Sequence, residues 1–171
     1  MTESRSPLRL AAIVLTMWLA VLGLDLLLNA GVFSSVFFRP SPFLLPPKRL
    51  FTRIPFGYTA FLLQMILLLW LMLGMRIAGA KAGFRFGLIT GMLMSAATYL
   101  GLYSLSTAEP TILVVSFVDT ATEFAVGGAL AGAGLAGIRT RRLALIAVAI
   151  LMSSLLIVVI MQSTGLAVAV K

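Results

Sequence analysis

The sequence predicts an all-α protein, a polytopic membrane bundle of five transmembrane helices with a four-helix core, forming one integral membrane domain of 171 residues. Three observations predict it. Hydrophobic residues make up 61% of the chain and charged residues only 11%, where a soluble domain carries roughly 25% charged residues. The mean hydropathy is +1.12. The apolar residues are gathered into five stretches, each near the ~20 residues a helix needs to cross a hydrocarbon layer about 30 Å thick. Backbone groups in that layer find no water, so each stretch must satisfy its hydrogen bonds internally as a helix.

The first stretch runs over residues 10–30. With its basic start it imitates a secretory signal, but it lacks a clean small-x-small cleavage site and reads as the first span. The connection 31–55, "GVFSSVFFRPSPFLLPPKRLFTRIP", follows. Pro40, Pro42, Pro46 and Pro47 rule out one long helix there. Its Phe, Leu and basic residues predict a segment lying in the interface, rings down and cations up, or a lid over a site. The later spans are 56–75, 84–105, 111–138 and 143–162. The connections between them are short, so neighbours in sequence are antiparallel neighbours in space. Pro110 suits the first turn of the fourth span, and Gly165 suits the end of the fifth.

Orientation follows the basic residues. With a cytoplasmic N-terminus, Arg5, Arg9, Arg76, Lys81, Arg85, Arg139, Arg141 and Arg142 lie inside, eight against the five of Arg39, Lys48, Arg49, Arg53 and Lys171 outside. The excess predicts a multi-pass protein of the cell inner (cytoplasmic) membrane with its N-terminus in the cytoplasm. The net charge of +8 is then a matter of orientation and anionic membrane lipids, not of nucleic acid.

The chain contains no Cys and no His. Disulfides, thiol chemistry, zinc sites and His-ligated haem are thereby excluded. No cofactor and no metal-ligand motif is expected, although carboxylates alone can hold a hard cation such as Mg²⁺. No catalytic residue is assigned, because no nucleophile–base pair is visible and the glycines follow helical spacing without the strand context of a phosphate loop.

Those glycines predict packing. Gly83, Gly87 and Gly91 recur every four residues in the third span, and Gly128 and Gly132 form a GxxxG pair in the fourth, where Ala125, Ala129 and Ala133 also fall in step. Small residues let helix backbones approach closely where lipid offers no hydrophobic drive. Spans three and four should form a tight hairpin. The rival use of the same faces is a homo-oligomer or membrane-partner contact. The nine Met residues read as gap fillers. Tyr103, Trp18 and Trp70 read as interfacial belt residues.

The polar residues inside the spans are the functional signal. Asp119 lies nine residues past Pro110, about 13 Å into the layer at 1.5 Å per residue. Glu123 follows one turn deeper on the same face. In the first span Asp25 and Asn29 make a second four-residue pair, Gln64 lies in the outer part of the second span, and Tyr99 in that of the third. Each central carboxylate costs roughly 2.5–3.5 kcal/mol to insert, so hydrogen bonds, a cation, water or protonation must offset it inside. Four spans placing polar groups at one level predict a shared polar cavity opening outward. Asp25, Asp119 and Glu123 would carry charge or bind a cation there. Asn29, Gln64 and Tyr99 would orient a ligand. Arg39, Lys48, Arg49 and Arg53 would attract anionic lipid or ligand at the mouth.

The stretch "FRFGLITG…ATYLGLYSLSTAEPTILVVSFVD", with "GLDLLLNAG" in the first span, resembles a family of small bacterial predicted membrane proteins of unknown function. The matching positions are Leu24-Asp25, Arg85, Gly87, Thr98-Tyr99, Pro110 and Asp119, over about the first four spans. In the family a polar run follows the Tyr. Here Leu100, Gly101, Leu102 and Tyr103 stand in its place, and the basic first connection and the fifth span are additional. The resemblance implies a four-helix core and draws Asp25, Tyr99 and Asp119 together. It implies no reaction. The expected function is handling of a small solute, ion or proton, as in a transporter, or ligand sensing, through the cavity. The alternatives are a structural or accessory subunit of a membrane complex, and a lipid-modifying enzyme.

Overall fold

The computed structural model describes residues 6–168, apart from the side chains of Pro47, Lys48 and Phe51. The role expected of Lys48 therefore lies outside the described residues. Helices are the only regular structure among the described residues: α1 (Pro7–Leu27), a π-helical turn (Leu28–Val32), α2 (Ser34–Phe37), α3 (Pro47–Gly74), α4 (Ala80–Leu105), α5 (Pro110–Leu135) and α6 (Thr140–Ser163). Five of these segments are long and apolar enough to cross a membrane: Pro7–Val32, Thr52–Gly74, Ala80–Leu105, Pro110–Leu135 and Thr140–Ser163. The chain is a multi-pass membrane protein.

Helix starts follow local chemistry. Ser6 caps α1, its Oγ accepting from the Arg9 amide at 3.3 Å, with Pro7 in the first turn. Pro110 opens α5 in the same way. The first connection differs from expectation. It shrinks to residues 33–46, because Pro47 begins α3 instead of breaking a helix, and Pro55 is absorbed inside α3. A proline at the first helical position gives up an amide that has no partner anyway.

Helices α1 and α5 are central. Helix α4 packs on α5, α6 packs along α1, and α3 covers the junction of α1 with α5. The apolar core lies where these meet: Ile13, Met17, Ala20 and Val21 from α1, Met65, Leu68 and Met72 from α3, Phe124 and Ala131 from α5, and Leu143 and Ala147 from α6. The fully buried Met17, Met65 and Met72 are core packing, as their adaptable side chains suit. Of the belt residues, Trp70 and Tyr103 are exposed on the outer faces. Trp18 is not a belt residue. Its Nε1 donates to the Tyr58 carbonyl at 2.8 Å and ties α1 to α3, since an indole N–H in an apolar bundle needs an acceptor.

The α4–α5 hairpin is as tight as the glycine spacing predicts. A Cβ added at Gly83 would strike the Gly128 carbonyl oxygen, and one at Gly87 would strike that of Phe124. The Gly79 amide donates to the Gly132 carbonyl at 2.8 Å, helix to helix. Gly83, Gly87, Gly91, Gly128 and Gly132 are all buried in this contact. The partner surface expected of these glycines is thus occupied from within the chain. Gly23 plays a similar part between α1 and α6, where a Cβ would lie 2.6 Å from Leu151 Cα.

One end of the bundle gathers Arg9, Arg76, Lys81, Arg85, Arg139, Arg141 and Arg142. There α5 closes with Gly137 at φ +101° and a bond from the Ile138 amide to the Ala133 carbonyl at 3.1 Å, the glycine-terminated helix end of the Schellman type. Arg9 reaches across from α1 and donates Nη2 to the Gly134 carbonyl at 3.0 Å and to that of Ile138 at 3.4 Å. A cation thereby meets the negative end of the α5 dipole. At α6 the chain turns at Gly165, φ +77°.

Candidate functional site

The side of α1 that carries Ile13, Met17 and Val21 into the core continues, in four-residue steps, to Asp25 and Asn29. Helix α5 behaves likewise. Asp119 and Glu123 stand one turn apart, and Gly127 comes next, opening room for Met65 of α3. Beyond the apolar core, toward the end away from the basic cluster, the α1–α5 contact therefore turns from greasy to acidic.

There the carboxylates converge. Asp25, Asp119 and Glu123 each offer an oxygen within 4.8 Å of the other two. Asn29 joins two of them, its Nδ2 donating to Asp25 Oδ1 at 2.6 Å and to Asp119 Oδ2 at 3.1 Å. Glu123 is 1% exposed and Asp119 7%, while Asp25 and Asn29 are half-buried. No basic side chain is bonded to the group among the described residues. Three buried oxygens here have no hydrogen-bond partner: Asn29 Oδ1, Asp119 Oδ1 and Glu123 Oε1.

Asn29 lies in the π-helical turn Leu28–Val32, a geometry frequent at functional sites. Helix α6 supports the turn. Gln162 Nε2 donates to the Ala30 carbonyl at 3.2 Å, and Gly31 lies close enough to α6 that a Cβ would touch Met161 and Val158 at 3.4 Å. The supporting role of Gln162 was not anticipated from the sequence. Its one signal is an amide near the end of an otherwise apolar helix.

The other expected residues stand apart. Tyr99 is half-buried, and its hydroxyl pairs with Thr120 Oγ1 at 3.1 Å, next to Asp119 in sequence but not bonded to any acid. Gln64 is half-buried on α3 with Oε1 unpartnered, and no hydrogen bond joins it to the group. Arg39, Arg49 and Arg53 are exposed and make no side-chain bond to the acids. The acids that meet come from two helices, α1 and α5, and the Asn29 amide bridges Asp25 to Asp119. A cavity of about 420 Å³ does lie between α4 and α5, lined by Tyr99, Tyr103, Pro110 and Phe117 among others. Its walls are apolar, and the acids do not line it.

No family model, curated protein or solved structure matches this chain. The site has to be read from its own chemistry. Three carboxylates meet in an apolar bundle, with no basic side chain bonded to them among the described residues. Among the described residues no hydroxyl or amine is hydrogen-bonded to one of these acids as a nucleophile would be; the hydroxyls of Tyr99 and Thr120 bond to each other.

Proposed function

We propose that the protein handles protons or small cations through the Asp25–Asn29–Asp119–Glu123 cluster, as an inner-membrane protein with its N-terminus in the cytoplasm. One observation carries the reading. Three carboxylates meet within 4.8 Å, inside five apolar helices, with no basic partner among the described residues. An unpaired carboxylate in a medium of low polarity costs several kcal/mol, and like charges side by side add to the cost. The charge must be neutralised from outside the chain, by protons or by a cation. Ionisable groups within membrane spans mark ion and proton pathways for this reason. The basic residues at the end that holds Arg9 support the orientation.

A purely structural network would pair its polar atoms. The unpartnered Asn29 Oδ1, Asp119 Oδ1 and Glu123 Oε1 speak against a scaffold or accessory role built on this cluster. The resemblance noted in the sequence places Asp25 and Asp119 among its matching positions and is compatible with the proposal, without specifying an activity.

Whatever binds the folded state alone stabilises it, so the test is a linkage experiment on the purified full chain in detergent. The thermal midpoint of the wild type should depend on pH or on cation concentration, and Asp119→Asn with Glu123→Gln should flatten that dependence. A wild type and double variant with the same pH and cation dependence would overturn the proposal.

A further inference from the structure

The cluster has a more specific chemistry, and the inference drawn from it rests on the cation-handling reading above. We propose that it is a binding site for one hard divalent cation of the Ca²⁺, Mn²⁺ and Mg²⁺ class, with Asp25, Asp119 and Glu123 as carboxylate ligands and the Asn29 amide oxygen as a fourth donor.

The donor set is all oxygen. Carboxylate and amide oxygens suit Ca²⁺, Mn²⁺ and Mg²⁺, whereas Zn²⁺ and Cu⁺ sites draw on imidazole or thiolate, which this chain lacks. Size permits one shared ion. Three oxygens no more than 4.8 Å apart have a common centre at most about 2.8 Å from each, within reach of a single hard divalent cation and its 2.0–2.6 Å ligand distances. Charge points the same way. A divalent ion neutralises two of the three carboxylates at once, where a monovalent ion would leave two uncompensated in a setting that penalises each.

Glu123 supplies the independent observation. Asn29 links Asp25 and Asp119 to each other by hydrogen bonds, and these can be read as a local network. Glu123 has no part in it. Its side chain is 1% exposed, its Oε1 has no partner, and yet it is aimed at the other two acids. A structural carboxylate so deeply buried would be paired. Asp119 Oδ1, on a residue 7% exposed, and Asn29 Oδ1 are left in the same condition. Turning the Asn29 amide over exchanges its donor, which now bridges the two aspartates, for its oxygen, which a cation would take. The half-buried Asp25 and Asn29 mark the side from which the ion arrives.

The test uses the full chain in detergent, stripped with a chelator and titrated with Mn²⁺ alone, followed by the loss of free-Mn²⁺ resonance and by thermal midpoint. The expected result is one Mn²⁺ per chain, displaced by Ca²⁺, with a raised midpoint, and no comparable effect of Na⁺ at the same concentration. Asp25→Asn and Glu123→Gln should each weaken Mn²⁺ binding by tenfold or more, while Glu109→Gln, an exposed acid at the start of α5, should leave it unchanged. Asp25→Asn is the substitution at the less buried position, so it decides should Glu123→Gln not fold. Absence of Mn²⁺ binding to the wild type overturns the inference. So does binding that survives Asp25→Asn. If divalent ions do not bind but the midpoint still depends on pH through Asp119 and Glu123, the divalent site fails and proton handling stands. If neither dependence exists, both fail.

Discussion

Replacing Gly87 by Ala tests the α4–α5 contact with a built-in control. A Cβ at Gly87 would strike the Phe124 carbonyl oxygen and lie 3.2 Å from Gly128 Cα, both backbone atoms that cannot swing aside. At Gly101, on the same helix, a Cβ would meet nothing within 4 Å. Glycine to alanine gains about 1 kcal/mol of helix propensity at either position, so that gain cancels in the comparison. What remains is the overpacking at Gly87, roughly 1–3 kcal/mol. At about 3 °C per kcal/mol for a chain of this length, the Gly87→Ala midpoint should fall about 3–9 °C below that of Gly101→Ala. The assay is thermal unfolding followed by helical circular dichroism in one detergent. Equal midpoints would mean that the two backbones do not touch, and would refute the packing described here.

Three further outcomes are expected. Arg9→Ala frees the Gly134 and Ile138 carbonyls at the end of α5 and should cost about 1–2 kcal/mol, read as a lower midpoint that Arg9→Lys partly restores. Trp18→Phe keeps an aromatic ring but loses the bond to the Tyr58 carbonyl, at about 1 kcal/mol; an unchanged midpoint would show that this bond does not hold α3 to α1. Because the chain has no Cys, a thiol introduced at Thr107, between α4 and α5, or at Ala78, between α3 and α4, is unique. An impermeant maleimide should label Thr107→Cys in intact cells and Ala78→Cys only after permeabilisation, and the reverse pattern would invert the proposed orientation.

The parts of the fold legible in the sequence are those governed by local rules. Hydropathy located five spans, and the four-residue recurrence of Gly83, Gly87 and Gly91 foretold the hairpin, since both depend only on neighbours along the chain. The start of α3 was misjudged because proline is a breaker within a helix and an initiator at its first turn, and Pro46-Pro47 does not say which. Depth could be counted, so Asp25 and Asp119 were placed at one level. Which way a side chain faces around its helix could not be counted so well. Helix α3 gives Met65, Leu68 and Met72 to the core, and Gln64, expected to orient a ligand beside the acids, has its Oε1 unpartnered and no hydrogen bond to them. The third carboxylate is visible as a member of the α5 pair and Asn29 as the partner of Asp25, but the π-helical turn in which Asn29 lies is announced by no residue pattern.

The bridge made by Asn29 has a consequence for biogenesis. One of its two bonds, to Asp25, lies within four residues of sequence, and the other, to Asp119, spans ninety. As the ribosome delivers the chain, the first segment enters the bilayer long before α5 exists, and during that interval its aspartate already has a donor from the same helix. The later-made partner then takes up the second hydrogen of an amide that was waiting for it. An early helix is thus kept insertable while its half of the centre is still incomplete.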